Sequence, residues 1–390
     1  MDVKKLAAEV QDYLIEMRRE FHRHPEPSMK EFETNKRIKE ELDKMGVPWE
    51  SVGDTLGIMG TLKGGKPGKT LMLRSDMDAL EINEESGVEF ASEKPGLMHA
   101  CGHDAHMAIL LATIKALVKV KDELPGTVKF LFQPSEENGL GGRLMVDNGV
   151  MEGIDGCFGM HVWSGVPVGK ISVDPGPRMA SCGFFTIHVK GKSGHGARPH
   201  EGIDAAVASA AILLNLQSIV SRETDPADTA VVTIGKVRIG DQRNIIAEDG
   251  YLEGTTRTFQ PEVRARFEDT IRRIAVSTAE AYRCEAELDY YDIVAPTVND
   301  PVCAERARKA VIKILGEDAV TTFKPITVAE DMSAYMNIAP GCFAFVGVGN
   351  PEIGADWDHH NCHFKIDENG LINGVMLFLQ YTADWLNEFA

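Results

Sequence analysis

The junction at residues 98–117 constrains this chain more than any other stretch. There MHACGHDAHM, with its three histidines, cysteine and aspartate, runs straight into the apolar AILLATIKAL. A helix that is apolar nearly all round must be covered nearly all round. The chain therefore has to fold around a helix expected over 103–120, and Cys101 and His103 are carried at its rigid first turn. Thiolate and imidazole suit zinc-like and other first-row divalent ions, and a thiolate can bridge two of them.

Around that helix, strand-like runs (GIMGTL at 57, TLMLRS at 70, GTVKFLF at 126, VGKISV at 168) alternate with helical patterns over 3–23 and 30–45. Alternation of this kind predicts an α/β sheet with helices on its faces. The same pattern returns late in the chain, with a buried strand CFAFVGVG at 342–349 and a closing helix over 367–389. Between the two parts, residues 182–290 read strand, helix, strand, strand, helix, strand, which predicts a ferredoxin-like βαββαβ unit. The expected organisation is a discontinuous α/β catalytic domain, 1–181 and 292–390, with a second domain inserted at 182–291. The length of 390 residues suits two domains. The first helix of the insertion, AAVASAAILLNL, is apolar on all sides, and a subunit interface is one way to cover it.

A formal charge of −18 disfavours nucleic acid and anionic lipid as partners. The N-terminal MDVKKLAAEVQDYLIEMRREF has no apolar core of the signal-peptide kind. No segment is expected to reach the roughly 18 apolar residues that span a bilayer. Seven cysteines without a CxxC pair read as reduced-compartment usage, so the expected location is the cytoplasm. Five of them read as small core hydrophobes, whereas Cys101 and Cys362 lie beside histidines.

Other stretches supply further chemistry. FLFQPSEEN ends a strand with Glu136 and Glu137. Extended backbone would point these two to opposite sides, one towards a metal and one towards a water. GMHVW sets His161 in an apolar strand, DWDHHNCHF offers His359, His360 and His363, and LRSDMDAL ends a strand with Asp76 and Asp78. Either aspartate could be a ligand or could orient a ligand's second nitrogen. Structural histidines rarely come as densely as those at 359–363. Four strand ends or loops each deliver a Cys, His or carboxylate, which suits two metal ions better than one. The glycine loops GKSGHG and ENGLGGR lack the phosphate-loop and dinucleotide spacings.

Taken in order, MRREFHRHPE, LRSDMDAL, MHACGHDAHM, FQPSEE, GMHVW, GKSGHGARPHEGIDA, NIIAEDGYLEGTTRTF and HHNCHFKIDE span nearly the whole chain. In these stretches it resembles the metal-dependent amidohydrolase and aminoacylase family of hippurate hydrolases, plant auxin-conjugate hydrolases and bacterial N-acyl-amino-acid deacylases. The resemblance implies a binuclear centre of two divalent ions (Mn, Zn, Co or Ni) held by Cys101, His103, Glu137, His161 and His360. It implies Glu136 as general base, Asp78 as support behind the ligands, and the inserted domain as a lid and dimerisation domain. His195 is implied as the lid histidine that steadies the carbonyl oxygen, in its own or a neighbouring subunit, with Asn244 and Arg257 binding substrate.

The sequence departs from the family at Glu81, where a proline usually follows DAL. It departs again at Cys362-His363, where Pro-Lys or Pro-Tyr is usual, and this leaves the choice of final ligand open. The expected activity is hydrolysis of N-acyl-L-amino acids by a homodimer or homotetramer. A dipeptidase of the same family, acting on free dipeptides, and a non-catalytic metal-binding protein are the alternatives.

Overall fold

The computed structural model describes residues 1–389. The chain divides into two compact units. One comprises Met1–Arg178, Val298–Lys324 and the residues from Asp331 on; the other comprises Met179–Thr297 with Pro325–Glu330.

The first unit is built on a seven-stranded sheet in the order Trp49–Ser51, Ile58–Lys63, Pro125–Gln133, Lys66–Asp76, Gly156–Pro167, Gly341–Gly349, Ile171–Ser172. The four strands beginning at Pro125, Lys66, Gly156 and Gly341 run parallel, and each outer strand pairs antiparallel with its inner neighbour. Parallel strands covered on both faces read as continuous apolar runs. Gly341–Gly349 accordingly has every residue buried. Register puts Asp76 opposite Gln133 and Arg74 opposite Gly159, so His161, two residues further on, comes level with Asp76.

Helix His103–Val118 packs into the same core with Leu371–Glu388, and all its residues except Lys115 and Val118 are buried. Gly102, which precedes it, has φ 93°, and a Cβ there would lie 2.5 Å from Val162 Cγ2. Only glycine fits between Cys101 and His103 without strain and collision. The expected N-terminal helix 3–23 is interrupted, forming Val3–Ala8 and Gln11–Arg23.

The second unit has a four-stranded antiparallel sheet in the order Ala230–Ile239, Asp249–Thr258, Cys182–Lys190, Glu285–Val294. Alternate residues Phe185, Ile187 and Val189 join Leu252 and Leu288 in a core with the helices Ala205–Leu216 and Pro261–Ala281. The apolar helix Ala205–Leu216 buries Ala205, Ala208, Ile212 and Leu216 and leaves Val207 49% and Leu214 69% exposed. The stretch Ala205–Arg222, 18 residues long and made of this helix and Ser218–Arg222, is long and apolar enough to cross a membrane by length and composition alone, although Ser209, Asn215, Gln217, Ser218, Ser221 and Arg222 interrupt its apolar run. One third of it is buried within the protein.

Candidate metal centre

Cys101, His103, Glu136, Glu137, His161 and His360 converge on one spot in the first unit. Their donor atoms form overlapping trios, Cys101/His103/His161, Cys101/Glu137/His360 and His103/Glu136/Glu137, each with members within 4.8 Å of one another. Cys101 Sγ lies 3.4 Å from His161 Nε2, and His360 Nε2 lies 3.3 Å from Glu137 Oε2. His103 Nε2 is 3.8 Å from Glu137 Oε1 and 3.9 Å from Glu136 Oε2.

The rings are oriented from behind. His103 Nδ1–H donates to the Asp78 carbonyl at 2.8 Å and His161 Nδ1–H to the Val162 carbonyl at 2.6 Å, which turns both Nε2 atoms inward. Hydrogen bonds of this kind set the ring orientation of metal-binding histidines. His360 is held differently, in a left-handed backbone conformation (φ 65°) with its N–H donated to Ala100 O.

The two glutamates depart from the expectation of opposite-facing side chains. The strand stops at Gln133, Ser135 takes φ 66°, and both carboxylates turn towards His103. Asp78 explains the turn. Its Oδ1 accepts the Glu136 N–H at 3.1 Å, and its Oδ2 accepts the Glu137 N–H at 3.0 Å and the Ser28 hydroxyl at 2.6 Å. Asp78 thus holds the Glu136–Glu137 backbone through its carboxylate and the His103 ring through its carbonyl. Replacing it with alanine leaves those donors unpaired and frees the turn; metal affinity should fall about 10–100-fold, measured by competition with a chelator. An unchanged affinity would remove Asp78 from the supporting role.

The donor set fits divalent cations on two counts. First, His103 Nε2 and Glu137 Oε1 are buried and have no hydrogen-bond partner, at a separation too long for a hydrogen bond and suited to two ligands of one ion. Second, the field is anionic. Burial opposes a charge on His103, yet Asp76, Asp78 and Glu137 overcome it and lift the imidazolium to about 10. Burial and the neighbouring Asp78 and Asp76 push Glu137 up to about 7, against the pull of His103. Burial, then Glu137 and Glu136, push the Cys101 thiol well above its ordinary value, so a thiolate there needs a cation beside it.

Some residues less visible in the sequence complete the surroundings. Arg74, fully buried in its strand, reaches Asp76 at 2.8 Å, Asp331 at 2.7 Å and Gln133 at 2.9 Å. The arginine inside the apolar run TLMLRSD was the available signal. Asp76 also accepts from His106 Nδ1–H at 2.6 Å, while His106 Nε2 accepts the Val162 N–H. Asp76 therefore anchors the strand end and a helix histidine. Buried Glu31 accepts the Ser135 N–H at 2.9 Å and holds the residue before Glu136.

The three histidines near the C-terminus, a density at which structural histidines rarely occur, separate. His359 is enclosed: its Nδ1 faces Cys101 O, its ring stacks on Trp163 at 4.4 Å, and burial pushes it down to about 3. His360 faces Glu137, whereas His363 faces Glu85.

His195, Asn244 and Arg257 lie in the second unit. Gly194–His195 pairs with Ile245–Ile246, and the Gly196 N–H donates to Asn244 O, so His195 and Asn244 are neighbours. The Ala197 N–H donates to His195 Nδ1, which leaves an exposed Nε2–H as a donor. Arg257 sits on the four-stranded sheet and donates to Thr256 O at 2.8 Å.

Residues 72–384 match the profile of peptidase family M20/M25/M40. The chain is 39% identical over 378 residues to thermostable carboxypeptidase 2 of Saccharolobus solfataricus, covering 96% of this chain and 95% of that protein. It is 37% identical over 372 residues to N-acetylcysteine deacetylase of Bacillus subtilis, covering 94% and 95%. Among solved structures, a dinuclear metal-binding peptidase of the M20 family from Bacillus subtilis superposes with a TM-score of 0.85 at 33% identity, over 97% of this chain and 99% of that one.

Proposed function

The chain belongs to peptidase family M20/M25/M40, and from that premise we propose that it hydrolyses the amide bond of N-acyl-L-amino acids. One observation carries the reading: Glu136 and Glu137 turn together towards the partnerless Nε2 of His103, beside Cys101 and His161. Cys101, His103, Glu137, His161 and His360 would hold two divalent ions of the manganese, zinc, cobalt or nickel group. Bound there, such ions supply Lewis acidity, which polarises a carbonyl and makes water a nucleophile near neutral pH.

The protein's own residues do the rest. Glu136 accepts the proton of the attacking water and delivers it to the departing nitrogen, acting as base and then as acid. Asp78 keeps the Glu136 backbone fixed during both transfers. His195, in its own or a neighbouring subunit, offers its Nε2–H to the carbonyl oxygen as charge grows there, a contribution of about 3–4 kcal/mol for one donor. Arg257 pairs with the substrate α-carboxylate, since a guanidinium grips a carboxylate bidentately, and Asn244 binds the substrate beside His195.

We assign the second unit as a ferredoxin-like lid and dimerisation domain. Its helix Ala205–Leu216 turns Val207 and Leu214 outward, which supports a homodimer or homotetramer. A monomer by light scattering at micromolar concentration would remove this assignment. Seven unpaired cysteines support a cytoplasmic location.

Similarity to a carboxypeptidase favours a second reading, a dipeptidase acting on free dipeptides. Amine release from N-acetyl-, N-benzoyl- and indole-acyl-amino acids beside free dipeptides, with manganese or zinc and after chelation, separates the two. Chelator-sensitive cleavage of the acylated compounds is expected. Cleavage of dipeptides alone would replace the first reading with the second, and no turnover on either set would overturn both.

A further inference from the structure

Cys362 and His363, two of the positions at which the sequence departs from its family, meet Glu85. Their donor atoms lie within 4.8 Å of one another. The segments are clamped by two hydrogen bonds, from Glu85 N–H to Cys362 O at 2.8 Å and from His363 Nδ1–H to Glu85 O at 2.9 Å. The second bond matters chemically. A carbonyl oxygen only accepts, so Nδ1 carries the hydrogen and Nε2 keeps its lone pair, the arrangement found behind metal-binding histidines. That Nε2 lies 3.7 Å from Glu85 Oε2, too far for a hydrogen bond. Two donors at about 2.0–2.1 Å from a tetrahedral ion lie about 3.4 Å apart, so a small inward movement seats both. Trp357 packs against the His363 ring at 4.9 Å, and Asn361 Oδ1 accepts the His363 N–H, so the histidine is presented rather than swinging free.

We propose that Glu85, Cys362 and His363 form a separate site for a divalent cation of the zinc class, completed by water. Thiolate, imidazole and carboxylate together select borderline-soft first-row ions over magnesium or calcium. On binding, the Cys362 S–H proton passes to solvent as the sulfur–metal bond forms. The site ties the segment before Ser86 to the turn that carries His360, yet it shares no ligand with the catalytic centre.

Cysteine accessibility gives a direct test. Among the seven cysteines, six are buried and Cys362 is partly open, so iodoacetamide should alkylate Cys362 selectively in the full-length protein, as read by peptide mass spectrometry. Micromolar zinc is expected to slow that alkylation at least about tenfold, and His363→Ala and Glu85→Gln should each remove most of the protection. If zinc leaves the alkylation rate unchanged, or protects His363→Ala as well as the unaltered protein, the site does not exist. In the second case the protection comes from the catalytic centre. Alkylation does not depend on turnover, so the result stands apart from the outcome of the substrate panel.

Discussion

Glu136→Gln is expected to lower kcat by about 10²–10⁴-fold with metal content unchanged. Glutamine keeps the shape of the side chain but cannot take a proton, and the backbone N–H remains bonded to Asp78. Turnover of an acylated amino acid that the unaltered protein cleaves, together with elemental analysis of the metal-loaded variant, decides the matter. A fall of less than tenfold would show that Glu136 is not the base. A fall accompanied by loss of metal would make it a ligand instead.

The largest loss of stability is expected from Asp104→Ala. Asp104 follows His103 on the central helix, and its carboxylate lies 3.0 Å from Arg18 Nε and 2.7 Å from His22 Nδ1. His22 in turn lies 3.0 Å from Glu84. Arg18 and His22 are each 2% exposed, so removing Asp104 takes the buried carboxylate from both and leaves Arg18 only Glu368, at 3.2 Å, and His22 only Glu84, at a cost of about 3–5 kcal/mol. A drop in the urea midpoint of that size would confirm it. A change under about 1 kcal/mol would show that water reaches the cluster.

The cluster also predicts a pH dependence. Burial opposes a charge on His22, but Asp104 raises it above its ordinary 6.5. The stability it contributes is complete below that value and is lost as pH climbs through the raised one. Asp104 and Glu84 are lowered by their cationic neighbours against the effect of burial, so their share is present at neutral pH and is lost in acid. His22→Gln should therefore flatten the alkaline limb of the stability curve and leave much of the acid limb.

The central helix and the candidate ligands at its head were legible because the information is local. Cys101, Gly102 and His103 are adjacent, and the apolar run after them permits no exposed face. Parallel strands announced themselves as uninterrupted apolar runs. The turn at Glu136 and Glu137 was not legible. Its shape depends on Ser135 entering left-handed backbone and on carboxylates from Glu31 and Asp78, contacts between segments far apart in the chain. The different directions of the three late histidines were not legible for a related reason. Density of a residue type says nothing of direction, and one positive φ at His360 sends neighbouring rings to Glu137 and to Glu85.

The order of strands in the seven-stranded sheet bears on how the protein is made. Gly341–Gly349 lies between Gly156–Pro167 and Ile171–Ser172, and it is synthesised after the whole of the second unit. During translation, residues Met179–Thr297 hold almost everything they need to collapse by themselves. The earlier strands must wait with an open edge for a partner still inside the ribosome. Such long-range closure is slow, and waiting edges invite pairing with other chains. The N-terminal half is thus the part of the nascent chain most dependent on chaperone protection, and a pause in synthesis before residue 341 should prolong that exposure.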